Sequence, residues 1–370
     1  MSSSGFVPPP YPYDRLDRFK PVAAALEGGL VDLSIGTPCD PPPTAVIAAL
    51  SSSNAERGYP QSVGSLALRE AAQRWVRHRF AVEVQTSEIG ACVGTKEFVA
   101  TTAQYLRLRT PQRDTVLYPA VSYPTYAMSA TLANCRAVPV PMAADGTLNL
   151  AAISPEDAQR ALLLWVNSPS NPTGNLDDLR AAATWGRANG VPVFSDECYA
   201  EFTWQGQPRT IIEHGLEGVV AVHSLSKRSN LAGLRVGFYV GDPDLVEYLQ
   251  EVRKHVGLMV PGPVQAAAVV ALDDDDHVVV QRALYLERLQ FVADMLQSWS
   301  GHEIALPHGG FYLWFDAVDG WDFAQRLATL GGALVSPGEF YGAGGARQVR
   351  VAVVQPMDRI KLVAQRLGVI

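Results

Sequence analysis

The chemistry in this chain centres on Lys227, in Ser224-Leu225-Ser226-Lys227-Arg228-Ser229-Asn230-Leu231-Ala232-Gly233-Leu234-Arg235. The apolar run Val219-Val220-Ala221-Val222 just before it reads as a strand covered on both faces. A lysine delivered by the end of such a strand is costly to bury charged, and desolvation lowers its pKa. A neutral amine is what attack on a carbonyl carbon requires. Ser224, Ser226 and Arg235 in the same stretch suit a phosphate. The ordinary alternative is a solvated strand-end charge. A sharper rival is a serine acyl-enzyme hydrolase with a Ser-x-x-Lys nucleophile, but its companion triplets Ser-Asp-Asn and Lys-Thr-Gly are both missing.

Other reactive positions fall at the ends of further apolar runs. Asp196 follows Val191-Pro192-Val193-Phe194 and lies 31 residues before Lys227, room for one helix-and-strand unit. An aspartate leaving a hydrophobic strand needs a cationic partner. Asn171 stands in Asn171-Pro172-Thr173-Gly174 after Leu162-Leu163-Leu164-Trp165-Val166, where an open α/β sheet places ligand groups. Thr95, in Gly94-Thr95-Lys96, is expected to cap a helix through Leu106 whose first turn would attract an anion. Gly36 follows a short strand-like piece, Tyr59 and Tyr123 sit in loops, and Arg350 enters a late strand.

Strands and helices alternate from about residue 116 to 241, the pattern of a mostly parallel sheet flanked by helices. Residues 1–45 are proline-rich and read as an extended arm. Helical patterns cover 243–255, 264–272 and 278–299, the last with Leu286, Leu289, Ala293 and Leu296 on one stripe. Strands are expected at 303–306, 310–315 and 348–354, and a closing helix over 357–367 carries Ile360, Val363 and Leu367 inward. Asp273–Asp276 with His277 lacks the ligand spacing and glycine of a hard-metal loop, so a solvated turn is expected and no metal. Gly342-Ala343-Gly344-Gly345 opens no strand-to-helix unit and is no nicotinamide site.

With 370 residues, 48% of them apolar and 18% charged, the chain can bury a large core. Its net charge of −7 speaks against nucleic acid as a partner. Cys39, Cys92, Cys135 and Cys198 form no Cys-x-x-Cys pair and read as reduced packing residues. Neither a signal peptide nor an apolar run long enough to span a membrane is visible, so a cytoplasmic protein is expected.

In order along nearly the whole chain, Gly36, Tyr59, Thr95, Tyr123, Asn171, Asp196, Tyr199, Lys227, Arg235 and Arg350 resemble the motif residues of fold-type I, class I/II aminotransferases. Asn171-Pro172-Thr173-Gly174 and Asp196-Glu197-Cys198-Tyr199 match family motifs. The resemblance implies a large α/β domain (46–270) that binds pyridoxal 5′-phosphate, with a smaller α/β domain made from 271–370 and the arm 1–45. It implies that Lys227 is the covalent attachment point and proton carrier. Asp196 would meet the pyridine nitrogen, Asn171 and Tyr199 the phenolic oxygen, and Tyr123 the ring face. Gly94, Thr95, Lys96, Ser224, Ser226 and Arg235 would hold the phosphate, with Tyr59 of a second subunit of a homodimer. Gly36, Asn171 and Arg350 would bind the substrate, Arg350 as a clamp on its α-carboxylate. At subfamily level Pro10-Tyr11-Pro12-Tyr13 and His223-Ser224-Leu225-Ser226-Lys227 are similar to succinyldiaminopimelate aminotransferases of actinobacteria, which use glutamate as donor. An aspartate-type aminotransferase and a carbon–sulfur β-lyase are the other activities the fold accommodates.

Overall fold

The computed structural model describes residues 5–370. Among the described residues twelve strands occur. β1 is Val31–Asp32; β2 Ile89–Cys92, β3 Thr115–Pro119, β4 Arg136–Val140, β5 Ala161–Asn167, β6 Val193–Asp196, β7 Val219–Ser224 and β8 Gly237–Gly241 follow. β9 Tyr312–Asp316, β10 Ala333–Leu334, β11 Ser336–Pro337 and β12 Gln348–Ala352 complete the set. β2 to β8 form one sheet in the order β2-β8-β7-β6-β5-β3-β4. The pairs from β4 through β7 are parallel, whereas β8 runs antiparallel to both β7 and β2.

The continuous apolar runs of β5 and β7 are buried at every residue because helices cover both sheet faces. Alternation then divides their side chains. Leu164, Val166, Val193 and Ala221 pack on one face with Trp75 and Val76 of the Leu66–Phe80 helix. Leu163, Trp165, Phe194, Val220 and Val222 pack on the other with Phe98 of the Thr95–Arg109 helix and Leu249. In register, Asn167 pairs with Asp196 and Asp196 with Val222. The carboxyl ends of β5, β6 and β7 therefore emerge together at one edge.

A third core combines Leu16, Phe19 and Leu33 with Leu289, Leu296, Phe311, Val351 and Ile360. Here β11, β12 and β9 form an antiparallel sheet, and β1 pairs with β10 across 302 positions of chain (333 − 31).

Several expectations do not hold. The proline-rich start is only partly extended: within it a 3₁₀ stretch, Pro12–Phe19, runs into a short helix, Lys20–Ala24, and buries Leu16, Phe19 and Ala23, while Pro8, Pro9, Pro10, Pro38, Pro41, Pro42 and Pro43 stay outside helices. Proline in a first helical turn costs no hydrogen bond, which is why Pro12 and Pro21 permit helix. Residues 303–306 form no strand, since no neighbouring strand offers them a ladder; only Ile304 is buried there. On the Asp276–Ser300 helix Leu286 is 43% exposed, and the buried stripe runs through Gln281, Tyr285, Arg288 and Leu289. Leu367 lies one residue beyond the Met357–Arg366 helix and is only partly buried.

Candidate active site

The sheet edge where β5, β6 and β7 end opens into a cavity of about 380 Å³. It is lined by Gly36, Thr95, Lys96, Tyr123, Asn171 and Asp196, and by Tyr199, Ser224, Ser226, Lys227, Arg235 and Arg350. Those twelve positions are spread over more than 300 residues of chain (350 − 36).

Lys227 sits in the one-turn helix Leu225–Arg228 directly after β7. Its Nζ donates to the Gly36 carbonyl. Burial, helped by the Arg350 and Arg235 charges and opposed by Cys198 and Asp196, pulls its pKa down to about 8. Close to neutral pH the amine is thus within reach of its free-base form. Asp196 ends β6, with Oδ2 accepting from Tyr126 Oη at 2.8 Å and Oδ1 from the Cys198 backbone N–H at 3.2 Å. Burial raises its pKa. A cation brought against it would restore the charged form.

The turn after β5 is built by Asn167, a residue the sequence reading passed over. Its Nδ2 donates to the Asp196 carbonyl at 2.8 Å and its Oδ1 accepts from the Asn171 N–H at 2.7 Å. The signal was an asparagine closing a wholly apolar run. Asn171 Oδ1 in turn accepts from Arg350 Nη1 at 2.7 Å.

At the opposite end of the cavity lies an anion cradle. The cap of the Thr95–Arg109 helix is Gly94 at φ +73°, and Thr95 is its first helical residue, not the cap expected from its hydroxyl. The Thr95 hydroxyl instead accepts from the Cys198 thiol at 3.2 Å. A Cβ at Gly94 would overlap the Arg235 guanidinium, so glycine is what lets that charge lie on the helix N-terminus. Arg235 itself adopts φ +54° and donates to the Ala232 carbonyl at 2.8 Å and Ser226 Oγ at 3.4 Å. Ser224 Oγ accepts from the Ser226 N–H at 3.1 Å, and both serines line the cavity.

Arg350, on β12, is 1% exposed. It donates to Asn171 and to the Ser34 carbonyl, and its guanidinium stacks 4.1 Å from the Tyr312 ring centroid and 4.8 Å from that of Tyr341. Its Nε is buried without a partner, and among the described residues no carboxylate is paired with it. A buried guanidinium with spare donors is a receptor for a carboxylate. Tyr199 Oη lies 2.9 Å from Tyr312 Oη, and a Cβ at Gly36 would overlap that same Tyr312 hydroxyl.

Tyr11 and Tyr13 complete the wall from the amino-terminal segment, Tyr13 Oη bonding Tyr341 Oη at 2.8 Å. Lys96 Nζ donates to Tyr11 Oη at 3.3 Å and stands 5.9 Å from the Tyr123 ring, on the entrance side of the cavity. Tyr59 does not line the cavity and is 98% exposed. The cysteines are free but not uniformly packing residues: Cys39 is exposed, and Cys198 faces the cavity. Among the described residues no cluster could hold a metal ion. In the acidic turn Asp273 pairs with Arg74, Asp274 with His277 and Asp275 with Arg228.

One amine, one buried carboxylate and one cradle for an anion at the far end fit pyridoxal 5′-phosphate, which presents an aldehyde, a basic ring nitrogen and a phosphate. The deciding observation is that the family model for aminotransferases of class I and II matches residues 29–367.

The chain belongs to that family. As a class I/II aminotransferase of fold-type I it is a pyridoxal phosphate-dependent transaminase acting on small amino and keto acids. It is 41% identical to the 4-dedimethylamino-4-oxo-anhydrotetracycline transaminase OxyQ of Streptomyces rimosus, over 97% of this chain and 99% of that one. It is 31% identical to the LL-diaminopimelate aminotransferase of Aquifex aeolicus, over 97% and 96%. The solved structure of a probable N-succinyldiaminopimelate aminotransferase from Thermus thermophilus superposes with a TM-score of 0.86 at 31% identity, covering 96% of this chain and 98% of that one.

Proposed function

We propose that this aminotransferase moves an amino group between glutamate (2-oxoglutarate) and N-succinyl-LL-2,6-diaminopimelate or its keto acid. The observation that carries the reaction is Arg350, a buried guanidinium with no carboxylate partner of its own, poised on Asn171 above the Lys227 amine. Support for the acyl substrate comes from the likeness to the Thermus protein.

Pyridoxal phosphate, when bound, supplies the electron sink that stabilises negative charge at the substrate Cα. The residues of this chain do the rest. Arg350 accepts the α-carboxylate in two parallel hydrogen bonds and so orients the Cα–H bond. Lys227 Nζ, with a pKa of about 8, takes the Cα proton of the donor and delivers a proton when the acceptor keto acid is converted. Asp196, fixed by Tyr126 and the Cys198 N–H, would keep the ring nitrogen protonated. Asn171 and Tyr199 would meet the phenolic oxygen, Tyr123 would cover the ring, and Gly94, Thr95, Lys96, Ser224, Ser226 and Arg235 would hold the phosphate.

The reading includes a small domain of 1–45 with 271–370 on a large domain of 46–270, a cytoplasmic location and a homodimer. Tyr59, an almost wholly exposed aromatic residue, is suited to a partner's phosphate. Among the described residues no helix is long and apolar enough to cross a membrane.

A panel of amino donors and keto acceptors tests the assignment. Highest kcat/KM with the succinylated keto acid and glutamate is expected. The 41% identity to OxyQ favours a second reading, amination of a polycyclic ketone, and preference for that acceptor would displace the first. Lys227→Ala should lose both the covalent cofactor and turnover, and retained turnover would overturn the role of the amine.

A further inference from the structure

Behind the cavity, outside its lining, a polar bridge closes a ring around Lys227. Asn230, three residues after the lysine, donates from Nδ2 to Gln281 Oε1 at 2.9 Å. Gln281 Nε2 donates to Asp40 Oδ2 at 2.9 Å, and Arg288 clamps both Asp40 oxygens at 2.6 and 2.7 Å. Asp40 is four residues after Gly36, whose carbonyl accepts from Lys227 Nζ. The circuit therefore runs from the lysine segment through the Asp276–Ser300 helix to the amino-terminal segment and back to the lysine.

Three features distinguish this bridge from incidental surface bonding. Gln281 and Arg288 are 5% and 3% exposed, polar residues occupying the buried stripe of their helix. Arg288 is bidentate on its carboxylate, the geometry that fixes a position most firmly. Asn230 is at φ +56°, a region that asparagine enters more readily than most residues, and this turn aims its amide at Gln281. The same helix also grips the lysine segment at Ser229, whose Oγ lies 2.9 Å from His277 Nε2.

We infer that Asp40, Arg288, Gln281 and Asn230 are positioning residues for the reaction: they set how closely Ile35, Gly36 and Thr37, which line the cavity, stand over the Lys227 amine. No member of the bridge lines the cavity, so its effect passes through the Gly36 segment at one end and the Lys227 segment at the other. Loosening it withdraws the Gly36 carbonyl, an acceptor that favours the ammonium form, and widens the side of the cavity where the amino acid enters. The titratable and charged groups that face Nζ are Cys198, Asp196, Arg235 and Arg350, and none belongs to the bridge.

The inference requires Lys227 to be the reacting amine. Asn230→Gly removes one link without backbone strain, because glycine accepts positive φ freely. Arg288→Met removes the clamp and Arg288→Lys restores a cation. Two readouts are needed: steady-state kinetics of the holoenzyme, and the pH midpoint of Lys227 acylation by a small amine reagent in the cofactor-free protein, followed by peptide mapping. Arg288→Met should raise KM for the amino donor roughly tenfold with kcat changed less than about threefold. Its acylation midpoint should fall by about half a pH unit. Asn230→Gly should move both in the same direction by less, and Arg288→Lys should recover part of the loss. An unchanged midpoint and an unchanged KM, with kcat falling only in proportion to lost cofactor, would overturn the bridge as a positioning device. Turnover retained by Lys227→Ala would instead overturn the role of the amine, so the two failures are told apart.

Discussion

Glu197→Gln should flatten the alkaline side of this protein's stability curve. Glu197 follows Asp196 out of β6, is 1% exposed, and accepts from the Ile211 N–H at 2.8 Å. Its Oε2 faces His223 Nε2 at 3.5 Å, and His223 is enclosed by Trp75, Phe238 and Phe80 with ring centroids at 4.8, 5.1 and 5.8 Å. Burial pushes the Glu197 carboxyl from 4.5 up to about 8 and pulls the His223 imidazole from 6.5 down to about 3. Both are therefore neutral in the fold at pH 7. A raised carboxyl pKa contributes stability that is complete below 4.5 and is lost as pH rises toward 8. A depressed histidine contributes stability that is complete above 6.5 and is lost as pH falls toward 3. Between 4.5 and 6.5 the two slopes offset each other, and from 6.5 to 8 only that of Glu197 remains. At roughly 1.4 kcal/mol per pH unit, reduced near the midpoint, Glu197 alone should cost on the order of 1–2 kcal/mol over that interval. Glutamine keeps the side-chain shape and cannot ionise. Urea unfolding of both proteins at pH 6.5 and 8 measures the difference: the parent should lose on the order of 1–2 kcal/mol more than the variant. Parallel losses would mean that Glu197 is ionised in the fold and that burial does not govern this pair.

Two further substitutions test the ends of the cavity. Gly94→Ala places a Cβ on the Arg235 guanidinium and forces alanine to φ +73°, so cofactor affinity should fall at least roughly tenfold with global stability lowered by about 1–2 kcal/mol; fluorescence titration of the cofactor-free protein with pyridoxal phosphate reads it, and unchanged affinity would refute the cradle. Arg350→Lys leaves a cation but no fork, and kcat/KM for amino acids should drop about a hundredfold with cofactor affinity unchanged. Equal loss of cofactor binding would move Arg350 to a different role.

The apolar runs before Asn171, Asp196 and Lys227 were legible because a strand buried on both faces leaves no room for polar residues, so the first one after each run marks the sheet edge. The helix cap was not legible: a threonine is a good capping residue in isolation, but the position had to admit the Arg235 guanidinium 141 residues away (235 − 94), and only Gly94 does so. The amino-terminal segment misled for a related reason. Pro12 and Pro21 fall in the first turns of helices, and the surface that holds Leu16 and Phe19 is supplied by the last quarter of the chain. On the Asp276–Ser300 helix Leu289, Ala293 and Leu296 are buried as expected and only Leu286 is not, because the buried face continues through Tyr285 and the polar Gln281 and Arg288. A helix with the 3.6-residue period intact only when a glutamine and an arginine are counted in it signals buried partners for both. That partner is Asp40, and the one misplaced residue, Leu286, and the overlooked bridge to Lys227 share a physical setting: a polar network occupying core positions, visible as an interruption in hydrophobicity but not in periodicity.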